Sequence, residues 1–278
     1  MGSIVWLSSY PKSGNTWLRA FIANLIADAR APLAFDAWPH YAVDEANPER
    51  FSRVAGVPST QLDIDALCRL RVAVQADIAA TTRGTVFVKT HNLAGSFDGH
   101  ALQNWTVTAG AIHVVRNPLD VCISFAAHFG LRLDAAIARM ADANLATGND
   151  ALFVSEVIGS WSQHVASWAA LEARGVLLVR YEDMLDKPLK AFTRVARMLR
   201  LGDDRARIMR AIEFSDFKRL QRMERSDGFR EAVSGAVPFF RKGLAKQWRE
   251  RLSREQVAQV IDDHRDVMRR FNYLPAGY

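Results

Sequence analysis

Residues 4–17 read Ile4-Val5-Trp6-Leu7-Ser8-Ser9-Tyr10-Pro11-Lys12-Ser13-Gly14-Asn15-Thr16-Trp17. The opening apolar run passes straight into turn formers, which predicts a buried strand entering a loop. From Thr16 the period changes, and Trp17, Leu18, Phe21, Ile22, Leu25 and Ile26 fall on one helical face. A loop between a buried strand and a helix start gathers unpaired backbone N–H groups and the positive end of the helix dipole, so this segment predicts an anion site. Lys12 adds a cation, Gly14 permits close backbone approach, and Ser13, Asn15 and Thr16 add hydrogen-bonding side chains. Trp17 offers a flat apolar surface to a base. The ATP-binding pattern G-x-x-x-x-G-K-[ST] is not met, because Lys12 precedes Gly14 and no glycine stands before Pro11. Taken alone, the loop is equally compatible with a helix start capped by Ser13 or Asn15.

Working outward, the same alternation recurs. Residues 85–89 (Thr-Val-Phe-Val-Lys), 111–115 (Ala-Ile-His-Val-Val) and 176–179 (Val-Leu-Leu-Val) are short runs rich in β-branched or aliphatic residues between longer helix-like segments. Gly175 stops the helical pattern of Trp161, Val165, Trp168, Ala169 and Leu171. After Asp186 the pattern is helical to the end, closing with Val257, Val260, Ile261, His264, Met268 and Phe271. Strands alternating with helices predict an α/β fold, a single P-loop-like domain over residues 1–278 with a central parallel sheet flanked by helices and a helical C-terminal part. Residues 31–59, 92–110 and 223–238 read as surface connections, and no repeat or interdomain linker is evident.

The chain has 278 residues, 49% hydrophobic and 24% charged, which is the composition of an ordinary globular protein and excludes disorder as the general state. Thirty-six Lys and Arg against 30 Asp and Glu give +6, with a pI near 9.6. That excess suits a polyanionic small molecule and equally a nucleic acid. Cys68 and Cys122 are the only cysteines; a disulfide framework is excluded, and a reducing, cytoplasmic compartment is expected. The opening Met-Gly-Ser-Ile-Val-Trp-Leu shows neither a basic leader nor a spanning apolar stretch, and Trp6 stands where a myristoylation signal wants Ser or Thr. A soluble protein without a membrane span is therefore the expectation. His40, His100, His113, His128, His164 and His264 show no metal-ligand spacing.

Four segments join the first loop in order: Val88-Lys89-Thr90-His91, then Val115-Arg116-Asn117-Pro118-Leu119-Asp120-Val121-Cys122-Ile123-Ser124, then Arg180-Tyr181-Glu182-Asp183-Met184, then Phe240-Arg241-Lys242-Gly243. In this order and spacing, across almost the whole chain, they resemble the sulfotransferase family, in particular the cytosolic type that uses 3′-phosphoadenosine 5′-phosphosulfate (PAPS). The resemblance implies that Lys12, Ser13, Gly14, Asn15, Thr16 and Trp17 bind the 5′-phosphosulfate, with Lys12 near the bridging oxygen. It implies that Arg116 and Ser124 hold the 3′-phosphate, with Arg241, Lys242 and Gly243 as a third arm. Independently of the family, Arg116 ends a strand, Asn117-Pro118 starts a helix, and Ser124 lies two turns along it. Tyr181, Ser215 and Phe217 are similar to the adenine contacts, Phe217 facing Trp17 across the base. Tyr181-Glu182-Asp183 also has a plain structural reading, its carboxylates accepting backbone bonds.

His91 resembles the family's catalytic base and Lys89 a lysine that contacts the sulfuryl group; two residues apart at a strand's C-terminal end, they are expected on the same side. Two positions depart from the family pattern. Asn15 stands where a second Thr is usual, and Lys246-Gln247-Trp248 stands where Gly-Asp-Trp is common, Trp248 keeping the hydrophobic anchor. A C-terminal dimerisation motif is not evident, and the sequence leaves the oligomeric state open.

The implied reaction is in-line transfer of a sulfuryl group from PAPS to the hydroxyl, or an amine, of a small molecule. His91 takes the proton, Lys12 and Lys89 balance developing charge, adenosine 3′,5′-bisphosphate (PAP) is the product, and no metal is implied. The alternatives are a P-loop kinase acting on a small molecule and a non-catalytic nucleic-acid-binding protein, the latter motivated only by the basic pI. Trp38, Tyr41, Phe51, Phe129 and Phe229, from segments expected to build the acceptor pocket, suggest a hydrophobic or aromatic alcohol.

Overall fold

The computed structural model describes residues 2–229, 231–232 and 238–278. The expected strand is β1 (Ser3–Ser9), and its Ile4, Val5, Trp6 and Leu7 are buried on both faces, as suits a central parallel strand. In chain order there follow α1 (Asn15–Ala27), β2 (Ala42–Asp44), α2 (Pro48–Ala55), α3 (Ile64–Ala80), β3 (Thr85–Thr90), the two-residue strands β4 (Ser96–Phe97) and β5 (His100–Ala101), β6 (Thr108–Val115), α4 (Pro118–Phe129), α5 (Leu133–Ala141), α6 (Trp161–Ala169) and β7 (Val176–Arg180). The remainder is helical: α7 (Tyr181–Asp186), α8 (Pro188–Met198), α9 (Arg205–Phe214), α10 (Phe217–Asp227), α11 (Trp248–Arg251) and α12 (Arg254–Arg270). The five-stranded sheet has the order β2-β3-β1-β6-β7. β1 and β2 both pair with β3 in parallel, with Ser3↔Thr85 through Ser8↔Thr90 on one side and Ala42↔Phe87 through Asp44↔Lys89 on the other.

The chain divides into two compact units. The first runs up to Tyr10 and takes in Ala42–His113 and Asp142–Leu178, so it holds the sheet apart from the last residues of β6 and β7. Its core gathers Ile4, Trp6, Phe51, Leu67, Val74, Val88 and Trp168. The second unit, Pro11–Tyr41, Val114–Ala141 and Val179–Tyr278, carries the last residues of β6 and β7 and is otherwise mainly helical in its described part. Here Arg207 on α9 donates to the Leu25 carbonyl at the end of α1, and Gln256 on α12 donates to Asp134 on α5.

Helix starts follow local chemistry. Asn117 caps α4 through the Leu119 N–H with Pro118 in the first turn. Ser160 and Ser253 each form a capping box, with Gln163 and Gln256.

The segments read as surface connections differ from that expectation. Residues 31–59 contain β2 and α2, Phe51 is wholly buried, and the prolines punctuate rather than expose: Pro39 sits in a 3₁₀ turn and Pro48 opens α2. Phe51 belongs to the core of the first unit. Within residues 92–110, Leu102, Gln103 and Asn104 are buried and β6 has already begun at Thr108. Residues 223–227 belong to α10, while Arg230 and residues 233–237 of the third connection lie outside the described residues.

Candidate active site

In the second unit, the loop after β1 takes a tight conformation at Lys12 (φ 67°) and Gly14 (φ 111°), both left-handed. Gly14 is the N-cap of α1 with no side-chain cap, so the first-turn amides of α1 are left for something other than a capping side chain. A Cβ on Gly14 would stand 2.7 Å from Cδ2 of Tyr181, so the glycine is required by close approach as well as by conformation. Ser13 Oγ, Trp17 Nε1 and Arg116 Nε are buried polar atoms without a hydrogen-bond partner among the described residues. Such atoms carry a desolvation cost that an anionic ligand with its own donors and acceptors would offset.

Arg116, at the end of β6, donates Nη1 to the Lys12 carbonyl and Nη2 to the Leu244 carbonyl, each at 3.0 Å, and stacks 4.3 Å from the Tyr181 ring centroid. Trp17 meets Tyr181 edge-on at 5.8 Å. Lys12 Nζ lies 3.6 Å from the Phe239 ring centroid; burial pushes its ammonium down to about 7 against the pull of Glu231, with Arg116 and Arg241 repelling it. Burial, then Arg251 and Arg116, lower Arg241. Lys12, Arg116 and Arg241 thus converge from three distant segments into one mutually repelling group, which Glu231 and Glu224 offset in part and a bound anion would relieve further.

The arm carrying Arg241, Lys242 and Gly243 is pinned by α10. Glu224 accepts the N–H groups of Phe239 and Phe240, and Gln221 donates to the carbonyls of Phe240 and Arg241. Gly243 (φ 63°) lies so close to Phe217 that a Cβ there would come within 2.4 Å of the ring. Phe217 and Trp17 share one aromatic cluster with Trp38 and Phe240. Lys242 is exposed and Ser124 half-buried on α4. Ser215 ends α9, its hydroxyl proton directed to the carbonyls of Ala211 and Ile212. At the departure from the family pattern, Asp120 accepts the N–H groups of Lys246 and Trp248, and Lys246 takes the left-handed φ of 63° that a glycine adopts freely. Glu182 accepts from the Asn117 N–H and the Tyr273 hydroxyl, which bears out its structural reading.

Two residues in this unit escaped the sequence reading. Arg19 donates to Asn15 Oδ1 and Thr16 Oγ1 and forms a two-oxygen pair with Glu231. The Asn15–Arg19 spacing of four on a helix was the available signal; Glu231 had none.

In the first unit, His91 follows β3. Its Nδ1 is 2.7 Å from the Ser9 carbonyl, and a carbonyl only accepts, so Nδ1 carries a proton in this contact. The His91 carbonyl accepts from His164 Nε2 at 3.0 Å, and its N–H donates to Glu156 Oε1 at 2.5 Å. Glu156 Oε2 lies 3.2 Å from Lys89 Nζ, which also pairs with Asp44 at 3.3 Å. The Asp44 pair is written in the sheet, since Asp44 stands opposite Lys89 in the β2–β3 register. One carboxylate therefore joins Lys89 to the backbone of His91. Asp44, Glu156, Ser9 and His164 were all missed by sequence reading.

A parallel α/β fold whose first loop presents unsatisfied donors and clustered cations defines a protein of the nucleotide-binding kind. The family model for the sulfotransferase domain matches residues 3–272, and the chain belongs to that family. Sulfotransferase 1B1 of Mus musculus is 24% identical, over 93% of this chain and 80% of its own. Luciferin sulfotransferase of Photinus pyralis is 23% identical, over 92% of this chain and 69% of its own. Among solved structures, retinol dehydratase in complex with androsterone and inactive cofactor PAP is similar with a TM-score of 0.64 and 20% identity, covering 95% of this chain and 80% of that one. A mouse sulfotransferase complexed with PAP has a TM-score of 0.64 and 18% identity, covering 97% and 85%. At these identities the structures show the shared fold. Among the described residues no single helix is long and apolar enough to cross a membrane.

Proposed function

We propose that the chain, read as one sulfotransferase domain over residues 1–278, moves the sulfuryl group of PAPS to the hydroxyl of a small-molecule acceptor. Family membership supports the reaction class. The observation that carries the residue assignment is the contact of His91 Nδ1 with the Ser9 carbonyl: with Nδ1–H given to that carbonyl, the neutral ring takes a proton at Nε2. Bound PAPS would supply the sulfuryl group and a stable leaving phosphate. Lys12, Ser13, Gly14, Asn15, Thr16 and Trp17 would hold its 5′ end, and Arg116, Ser124, Arg241, Lys242 and Gly243 its 3′-phosphate. Tyr181, Ser215 and Phe217 would flank the base. The orphaned Ser13 hydroxyl and Arg116 Nε fit that assignment.

His91 Nε2 removes the acceptor's proton as the new oxygen bond forms. Lys12 balances negative charge on the departing side, and Lys89 contributes positive charge beside the base. The exposed Phe129 and the cluster of Trp38, Tyr41 and Phe229 support an apolar or aromatic acceptor, and the buried Cys68 and Cys122, outside any disulfide, support a reducing, cytoplasmic setting.

The test is PAP formation from PAPS with a panel of phenols, aliphatic alcohols and sugars, run beside ATP–magnesium. PAP production with a phenol or apolar alcohol supports the reading; phosphoryl transfer from ATP with no PAP formed overturns it.

A further inference from the structure

We infer that Glu156 is a positioning residue for the reaction, setting both the place of Lys89 and the basicity of His91. The inference rests on the proposed role of His91 as base. Glu156 is buried, and each carboxylate oxygen has its own task, Oε1 on the His91 N–H at 2.5 Å and Oε2 on Lys89 Nζ at 3.2 Å. Asp44 also pairs with Lys89, at 3.3 Å.

The residue is itself held from several directions. Its N–H donates to Thr147 Oγ1 at 2.8 Å, and its carbonyl accepts the Thr147 N–H at 3.0 Å. Arg71, paired with Glu45, donates to the carbonyl of the preceding Ser155. The following Val157 N–H donates to Asn92 Oδ1 at 2.7 Å, next to His91 in the chain. A carboxylate fixed at its own backbone can fix what it binds, which is the arrangement that keeps a reacting group within the narrow tolerance catalysis needs.

The charged groups around the pair are Lys89, Arg71 with its partner Glu45, Asp44 and Glu156 itself, and the titratable His164 is kept neutral by burial. Burial opposes the ionised form of Glu156, but Lys89, His91 and the donated N–H hold it down to about 2, so it is anionic throughout the working range. A fixed anion beside an imidazole favours the imidazolium and so strengthens the base. A carboxylate that served folding alone would change melting and leave kcat of the folded protein alone.

The experiment compares wild type, Glu156→Gln, Glu156→Asp and His91→Ala. Three quantities are read: thermal melting, turnover with the most active alcohol of the panel, and the His91 titration by NMR on histidine-labelled protein, which needs no acceptor. Glu156→Gln is expected to lower kcat about ten- to a hundredfold. It should move the His91 titration midpoint and the rising limb of the pH–rate profile to lower pH by about one unit, with PAP affinity unchanged. Glu156→Asp keeps the charge and shortens the reach, so kcat falls while the titration stays near the wild-type position; this variant decides the matter if the Gln protein does not fold. An inactive His91→Ala beside a Glu156→Gln protein with wild-type kcat and titration overturns the inference alone. So does a Glu156→Asp protein with full kcat. A fully active His91→Ala removes the reading beneath it.

Discussion

Arg19 grips Glu231 through both carboxylate oxygens, at 2.6 and 2.8 Å, while the hydroxyl of Thr16 stands 3.4 Å from the same carboxylate. Thr16 and Lys12 are assigned to the phosphosulfate, and Glu231 is a negative charge on the same group of donors and cations. Glu231→Gln should therefore tighten PAP binding about fivefold, or ~1 kcal/mol, by removing a competing anion. Isothermal titration at fixed salt measures it, and weaker binding by the variant would contradict the assignment.

Lys12 makes binding a proton-coupled event. With its ammonium pushed down to about 7 by burial, half the molecules are neutral there at pH 7. An anion on the loop restores the charge. Below pH 7 the lysine is already protonated and binding takes up little; above it, binding takes up a proton and affinity falls with pH by up to about tenfold per unit. Calorimetry at pH 8 in buffers of different ionisation heat should register uptake approaching one proton, abolished in Lys12→Met. Equal uptake in both proteins would refute this.

His113 and His164 form a buried pair, ring centroids 5.4 Å apart, behind His91. Burial holds His113 well below its ordinary value; burial and then His91 push His164 down to about 3. Below about pH 6.5 the unfolded chain protonates both rings, while the folded chain keeps His164 neutral down to about 3 and His113 neutral well below its ordinary range. Their contribution is thus complete above about pH 6.5 and drains away as pH falls, by up to ~1.4 kcal/mol per unit for each histidine. Urea unfolding at pH 7, 6 and 5 should show that slope, reduced in His164→Gln; identical slopes would count against it.

Lys246 bears a left-handed φ of 63° where the family commonly has glycine. A side chain in that region costs about 1–2 kcal/mol, and glycine's greater unfolded-state freedom returns about 0.5–1 of it. Lys246→Gly should raise stability by roughly 0.5–1 kcal/mol with PAP affinity unchanged. Chemical denaturation reads the gain, and a loss of stability would show that the lysine side chain is holding the turn.

The parts that could be read from the sequence are those whose information is local. β1, its loop and α1 lie within residues 3–27, and the strands at 85, 108 and 176 declare themselves by β-branched content, each within a few residues of its observed bounds. Family resemblance supplied the roles of Lys12, His91 and Arg116, and the convergence of Lys12, Arg116 and Arg241 accords with it. What stayed hidden depends on register and on reach across the chain. β2 is three residues of Ala-Val-Asp, too short for any period, and it matters because pairing sets Asp44 against Lys89. Glu156 lies 65 residues from His91 in a segment without regular structure, and no spacing rule connects them. The segment 31–59 read as a surface connection because Phe51 has polar neighbours and prolines flank it, although its ring is wholly within the core.

The central claim is that His91 Nε2 is the base of a sulfuryl transfer whose donor is held by other residues. Turnover of PAPS with the most active alcohol, and PAP affinity by calorimetry, should be measured on wild type and His91→Ala. The account predicts a fall in turnover of about 10²–10⁴-fold with PAP affinity essentially unchanged. Undiminished turnover in the variant would contradict it.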